Sequence, residues 1–346
     1  MDQQGPQGQG GPPPQAVVMM MLMGKYASMG LSVCAELRIP DYVGDGAVAA
    51  SELAEKSGAN ADALYRIMRA LAAVGVFVEE PGRKFRNTPV SSVLREDVPG
   101  SLCALARWEG SEVLWKFVME LSHTVTTGQP AKDKVFPGAR GVFDILKQHG
   151  PMQQVFQEAM TALSAESGRA AVEAYDFSGF EHIVDVGGGH GALAMFIKDQ
   201  APNAKVTLFD LPHVVEGAQK LMASMGRAGA VETVAGSFFE TVPAADAYIM
   251  KFITHDWPDD ECLKVLTHCR TQLSSPSGKV LVCDAVVGNG PDSIGAKFLD
   301  IAMMVGLGGR ERTQEEFVEL FARAGLKLDR VIPTRSMLKI LELSPA

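Results

Sequence analysis

Paired cysteines are missing from this 346-residue chain. Five cysteines are present, Cys34, Cys103, Cys262, Cys269 and Cys283, and no two stand at Cys-x-x-Cys spacing. An odd, scattered set of thiols argues against a disulfide framework or a structural zinc site, and suits a reducing compartment, so a cytoplasmic location is expected. The seven histidines form neither His-x-x-x-His nor His-Glu-x-x-His, and no metal is expected. Basic excess is missing too: 32 Lys and Arg face 41 Asp and Glu, a formal net charge of −9. That sign makes phosphate-backbone binding a poor principal task, so no nucleic-acid partner is expected. A signal-like start is also lacking. Residues 1–15, MDQQGPQGQGGPPPQ, hold no basic segment, and the apolar stretch from Ala16 to Met23 is too short to span a bilayer. No membrane partner is expected, and 1–15 reads as a disordered tail, because Gly, Pro and Gln bury too little surface to offset ordering entropy.

What is present has two textures. Residues 16–170 are helical in pattern, and 171–346 alternate strand with helix. The helical part begins with Met19-Met20-Met21-Leu22-Met23, continuing through Met29, Leu31 and Leu37. Five apolar side chains in a row cannot share one helical stripe, so this helix needs burial by a partner chain or by the chain's own core. Within 16–100, two helices around Leu53 and Leu64–Leu71, joined by a turn at Gly58-Ala59-Asn60, precede a short strand at Val76–Glu79 and a Gly82 turn. This is a winged helix-turn-helix pattern. Arg66 and Arg69 suit a DNA reader, but Leu64, Ile67, Met68 and Leu71 crowd the same helix, and the chain is acidic. A dimerisation or substrate-lid module fits better. Residues 101–170 add helices in which Phe156, Met160 and Leu163 recur at helical spacing, as core or as pocket lining.

The second half predicts five strands: His182–Val186, Lys205–Asp210, Val231–Ala235, Ala247–Ile253 and Lys279–Asp284. Continuous apolar strands separated by helical patterns mean an α/β class with a doubly wound parallel sheet. Leu326–Pro333 and Ser336–Leu343, with only Thr334 and Arg335 between them, predict a terminal hairpin and therefore one antiparallel strand.

In such sheets the ligand lies beyond the carboxyl ends of the strands. Those ends hold Asp185 with Gly187-Gly188-Gly189-His190-Gly191, Asp210, Gly236-Ser237-Phe238, Lys251 with His255, and Asp284. Gly187, Gly189 and Ala192 satisfy the dinucleotide pattern, and Asp210 stands near the ribose-acid spacing, which keeps a nicotinamide cofactor open. Asp185 directly before the glycines tilts the other way, since a carboxylate there repels a pyrophosphate and suits a cation. The terminal hairpin and a histidine base point the same way. A ribose, a positive charge and no phosphate describe S-adenosylmethionine.

Five segments in order carry a resemblance: Val184–Gly191, Phe209-Asp210-Leu211-Pro212, Gly236-Ser237-Phe238-Phe239, Lys251–Trp257 (KFITHDW) and Gly308–Thr313 (GGRERT). Over about residues 16–346 the chain resembles the S-adenosylmethionine-dependent O-methyltransferases of the caffeate, acetylserotonin and bacterial polyketide type. The HDW and GGRERT elements are far more specific than the glycine loop. The resemblance implies a Rossmann-like methyltransferase sheet over 171–346, a winged-helix dimerisation domain over 16–100 that makes a homodimer, and a substrate-lining region over 101–170. It implies His255 as general base, flanked by Asp284 and Glu311. Asp185, Gly187, Gly189, Gly191, Asp210, Leu211, Gly236, Ser237, Phe238 and Lys251 would hold the cofactor, released as S-adenosylhomocysteine. Met160 and Met303 would face a small aromatic acceptor, and Phe156, at helical spacing with Met160, and Met304, beside Met303, are further candidates for lining its pocket. Asp284 stands where glutamate is usual, so its reach to the imidazole is shorter, and Ser237 stands where aspartate is common. A neutral His255 is expected to take a phenolic proton as the methyl arrives. The rival readings are a nicotinamide-dependent oxidoreductase and a winged-helix ligand-sensing regulator.

Overall fold

The structure is a computed structural model describing residues 11–139, 142–147, 149–306 and 308–346. Most of the expected tail, residues 1–10, lies outside them, but Pro14 and Gln15 begin the first helix rather than extending the tail. Proline at a helix start gives up no bonded N–H and has a helix-compatible φ. The chain divides into two compact units, Met1–Glu112 and Val113–Ala346.

The first unit contains α1 (Pro14–Glu36), α2 (Ile39–Val43), β1 (Ala47–Ala49), α3 (Ala50–Ser57), α4 (Ala61–Ala73), β2 (Phe77–Glu80), β3 (Lys84–Asn87), α5 (Pro89–Ser92) and α6 (Cys103–Glu109). Asn60 caps α4 by accepting from the Asp62 and Ala63 amides, and the helix buries Leu64, Met68 and Leu71 at helical spacing. The three strands form an antiparallel sheet in the order β1-β3-β2, completing the winged-helix pattern. Only the second half of α1 is buried, through Gly30, Ser32, Cys34 and Ala35, while Met20 and Met21 are 67% and 74% exposed. The long apolar helix expected from Met19 through Leu37 is present, but the apolar stretch judged too short for a bilayer is only part of it. The helix spans 23 residues and is long and apolar enough to cross a membrane, with 17% of its most apolar window buried.

The second unit opens with helices. They are α7 (Glu112–Met119, beginning one residue earlier), α8 (Leu121–Thr127), α9 (Lys132–Val135), α10 (Val142–Lys147) and the long α11 (Gly150–Ala174). Strands and helices then alternate: β4 (His182–Val186), α12 (Ala192–Gln200), β5 (Lys205–Asp210), α13 (Pro212–Ser224), β6 (Glu232–Ala235), β7 (Ala247–Lys251), α14 (Asp259–Thr271), β8 (Lys279–Val287), α15 (Ile294–Gly306), β9 (Arg312–Thr313), α16 (Gln314–Arg323), β10 (Leu326–Pro333) and β11 (Leu338–Pro345). The sheet order is β10-β11-β8-β7-β4-β5-β6, with β9 pairing β8 from outside that path. β4 to β8 pair in parallel, and β11 runs antiparallel to both β8 and β10. Neighbouring residues along one strand feed opposite layers. Ile183, Leu208 and Ile249 pack with Leu193 of α12, whereas Val184, Phe209 and Tyr248 pack with Leu266 of α14 and Phe317 of α16.

Three sequence expectations change here. β8 was expected to end at Asp284 and instead runs on to Val287, where its last residues pair with β9. The strand predicted through Ile253 ends at Lys251, because Phe252 adopts φ 57° and turns the chain out of the sheet. The terminal turn spans residues 334–337 rather than two residues, and Thr334 Oγ1 ties it by donating to the Leu338 carbonyl at 2.7 Å.

Leu341 of β11 is fully buried between β8 and β10. Leu341→Ala is expected to cost about 2–5 kcal/mol, measured as a lower urea midpoint for loss of far-UV signal.

Candidate active site

The glycine loop leaves β4 under tight constraints. Gly187 (φ 67°), Gly189 (φ 57°) and Gly191 (φ 82°) are all left-handed. The Gly187 amide donates to the Phe209 carbonyl at 2.8 Å, and the Gly189 amide to Asp210 Oδ2 at 2.9 Å. Gly188 is glycine for want of room. A Cβ there would lie 2.4 Å from Leu208 Cδ1 and 2.5 Å from Asp185 Oδ2.

Asp185 lies beneath this loop, 1% exposed, and its Oδ2 has no hydrogen-bond partner among the described residues. Burial pushes its carboxyl up to about 7, against the pull of Lys251 and with a further push from Asp210. Burial likewise raises Asp210, whose oxygens accept from the Gly189 and Leu211 amides, and lowers Lys251. Lys251 Nζ donates to Ser164 Oγ at 2.9 Å. Ser164 stands one turn past Met160 and two past Phe156 on α11, so this bond ties the face bearing those residues to the carboxyl end of β7.

Gly236, whose amide donates to the Asp210 carbonyl at 2.9 Å, continues the edge after β6. Ser237 Oγ accepts from the Phe239 amide at 3.3 Å, a turn contact. Phe238 and Phe239 pack edge-on at 4.6 Å, and Trp257 meets Phe239 at 4.8 Å and Phe238 at 6.3 Å. An open cleft of about 690 Å³ lies beside the glycine loop, lined by Gln154, Thr161 and Ala165 of α11, by His190, and by Gly217 and Lys220 of α13.

The histidine end is built by two distant segments locked together. His255 lies in a single 3-10 turn, Thr254–Asp256, with its Nδ1 2.7 Å from Glu311 Oε1. The Gly308–Thr313 loop holds that turn from several points. Gly309 packs so close that an added Cβ would fall 2.3 Å from the His255 carbonyl oxygen, and the Arg310 amide donates to the same oxygen at 2.8 Å. The Glu311 amide donates to Asp300 Oδ1 on α15 at 2.8 Å. Arg312, 1% exposed, donates to the Thr254 carbonyl at 2.7 Å and the Trp257 carbonyl at 3.0 Å, and pairs with Asp259 at 2.8 Å. Thr313 then caps α16 in a capping box with Glu316.

The structure corrects two expectations at this end. Asp284 does not bond the imidazole; its Oδ2 accepts from Thr254 Oγ1 and its Oδ1 has no partner among the described residues. The aspartate is one methylene short of a glutamate, and the hydroxyl next to the histidine takes its oxygen. The expected neutrality of His255 is also opposed by its surroundings. Burial pulls its pKa down, but the hydrogen bond to Glu311 and the charges of Asp256, Asp284 and Glu311 outweigh that and raise it to about 9. Burial raises Asp284 itself to about 6. Asp256 Oδ1 lies 3.5 Å from the other ring nitrogen, Nε2. Met303 and Met304 are half-buried on α15, which leads into the Gly308 loop, and Leu211 is exposed. Among the described residues, no group of three or more His, Cys, Asp or Glu is placed to hold a metal ion.

Sequence reasoning did not assign roles to Arg312, Thr254, Ser164 or Trp257. Arg312 had a visible signal, an arginine beside the glutamate of a conspicuous motif. The bonding of Thr254 and Ser164 depends on tertiary placement alone.

A parallel sheet with a terminal antiparallel strand, a glycine loop over a buried aspartate and a carboxylate-paired histidine define a nucleoside-dependent group transferase. The chain belongs to the S-adenosylmethionine-dependent O-methyltransferases: residues 118–327 match the O-methyltransferase domain and residues 19–97 the O-methyltransferase dimerisation domain. It is 38% identical to a phenazine O-methyltransferase of Lysobacter antibioticus over 97% of this chain and 98% of that protein. It is 32% identical to an aclacinomycin 10-hydroxylase of Streptomyces purpurascens over 90% of this chain and 84% of that protein. Among solved structures, the methyltransferase CalO1 of calicheamicin biosynthesis, in its SAH-bound form, aligns with TM-score 0.88 and 30% identity, covering 97% of this chain and 100% of that one.

Gly188→Ala forces a methyl group into Asp185 and Leu208. Its affinity for S-adenosylhomocysteine, read by calorimetry, is expected to fall at least about tenfold, with the fold retained by circular dichroism.

Proposed function

We propose that this chain methylates a phenolic hydroxyl of a small aromatic or polyketide-like metabolite, with His255 as the general base. The observation that carries this is the His255–Glu311 pair, whose imidazole is fixed at Nδ1 and leaves Nε2 for the acceptor. The residues present suit the cofactor. The oxygen of Asp185 that has no partner among the described residues favours a cationic group, the glycine loop offers backbone without side chains, and Asp210 at the end of β5 would hold the ribose. Gly187, Gly189, Gly191, Leu211, Gly236, Ser237, Phe238 and Lys251 complete that edge. When bound, S-adenosylmethionine supplies a methyl group already activated by positive sulfur.

The chain's own task is then to place an oxygen in line and remove its proton. A phenol, with a pKa of about 10, keeps its proton at neutral pH. His255 Nε2 takes that proton, and Glu311 on Nδ1 stabilises the resulting imidazolium. Asp284 acts through Thr254, holding the turn that presents the ring. Phe156 and Met160 on α11, with Met303 and Met304 on α15, supply a soft apolar surface for a flat ring. The relative named for phenazine methylation, 38% identical, supports an aromatic acceptor. The exposed methionine face of α1 and the match to a dimerisation domain support burial of that face by a second copy in a soluble cytoplasmic homodimer, rather than a membrane anchor.

His255→Ala is expected to bind S-adenosylhomocysteine normally by calorimetry and to lose at least about 10² in methyl transfer when phenols are screened by mass spectrometry. Near-wild-type turnover in the variant rules out the base. Light scattering at micromolar concentration is expected to give twice the 37.0 kDa chain mass, and a monomer contradicts the dimer.

A further inference from the structure

His255 is enclosed by acid. Glu311 holds Nδ1, Asp256 lies 3.5 Å from Nε2, and Asp284 of β8 is bonded to the neighbouring Thr254. Glu311 Oε2 and Asp284 Oδ1 are both buried without a hydrogen-bond partner among the described residues. The nearby cations are engaged elsewhere. Arg312 is bonded to backbone carbonyls and Asp259 of α14, and Lys251 of β7, with Asp185 of β4 beyond it, bonds Ser164. The Phe252 ring contacts both this lysine and the imidazole, 4.9 Å from Nζ and 5.1 Å from the imidazole centroid. Asp300 of α15 accepts from the Glu311 amide, and the Cys262 thiol of α14 is kept neutral by burial. Three carboxylates thus face one imidazole, and their negative charge favours a proton on the ring when no other cation is present.

We propose that the cofactor's positive sulfur takes over this role, so that His255 gives up its proton to solvent as S-adenosylmethionine binds and becomes a free base only in a loaded site. This rests on the reading of His255 as the general base. If the acceptor oxygen meets both the imidazole and the transferred methyl, only one oxygen and one methyl separate the sulfur from the ring. At an effective dielectric of about 20, two positive charges at that separation make the imidazole more acidic by roughly one to two pH units. From about 9 in the unliganded chain, that brings it near neutrality. The balance closes: the enzyme loses one proton, the ligand brings one positive charge, and the buried cluster keeps its net charge. On transfer the methyl moves to the acceptor oxygen, the hydroxyl proton moves to Nε2, and the sulfur becomes neutral. The cluster returns to its favoured state with S-adenosylhomocysteine in place.

The two nucleosides differ by one methyl and one charge, which gives the test. The full chain is titrated with each at pH 8 by calorimetry, in phosphate and in Tris, whose different ionisation enthalpies count the protons exchanged. Between the free and loaded imidazole pKa values, S-adenosylmethionine must release protons and bind more tightly as pH rises. The expected result is about half a proton more released with S-adenosylmethionine than with S-adenosylhomocysteine in wild type, and loss of that excess in His255→Gln. Each ligand's own amine titrates alike in both proteins, so the difference between them belongs to the imidazole. Glu311→Gln provides a second variant. With its carboxylate gone, the ring is largely neutral beforehand, and the excess is expected to shrink at least twofold. Equal proton counts for the two nucleosides in wild type, or an excess that survives in His255→Gln, overturn the inference. If both nucleosides bind without the excess while His255→Gln has lost methyl transfer, the arming step falls and the base assignment stands. Failure of both to bind overturns the cofactor reading and the inference together.

Discussion

The guanidinium of Arg312 holds the two halves of the histidine site together. It is buried, and its donors go to the Thr254 and Trp257 carbonyls and to Asp259. Stripping partners from a buried charge costs roughly 3–5 kcal/mol, so the 254–257 turn and the 308–313 loop form a single rigid piece although some fifty residues separate them in sequence. The other contacts of that loop fit around this one. Gly309 lies flat against the His255 carbonyl, the Arg310 amide bonds it, and the next residue, Glu311, is thereby brought to Nδ1. The base assignment therefore depends less on the histidine than on the loop that orients it.

Burial then sets the electrostatics. Asp185 near the end of β4, Asp284 within β8 and Glu311 just before β9 are almost wholly removed from solvent, and each leaves one carboxylate oxygen without a hydrogen-bond partner among the described residues. Unpaired buried oxygens are costly in an isolated fold. Asp185, Asp284 and Glu311 lie on the edge where a cationic cofactor is proposed to bind, and their unpartnered oxygens favour positive charge there. Lys251 and Phe252 separate the two ends of the edge, one contacting α11 through Ser164 and the other the imidazole.

The sheet was readable because its strands are short apolar runs ending in glycine or acid; β4 and β5 fall on the residues expected. The end of β7 was not readable, because nothing in Phe252 announces a left-handed backbone, a conformation that side chains of this size rarely adopt. The Glu311 pairing was accessible only through the GGRERT motif, since no spacing rule joins residues 56 apart. Asp284 was known to be shorter than the usual glutamate, but its diversion to Thr254 depends on a hydroxyl whose position only the folded turn reveals. The acidic surroundings of His255 were not readable for a related reason: three carboxylates converge on it from the turn, β8 and the loop, and two of those are remote in sequence.

The most direct test of the base assignment is a structure of the chain with S-adenosylhomocysteine and a methylated or methylatable phenol bound together. The account predicts His255 Nε2 within about 2.6–3.2 Å of the acceptor oxygen, with the nucleoside sulfur on the far side of that oxygen and Glu311 still on Nδ1. An acceptor oxygen turned away from His255, with the sulfur still directed at it, would contradict the account.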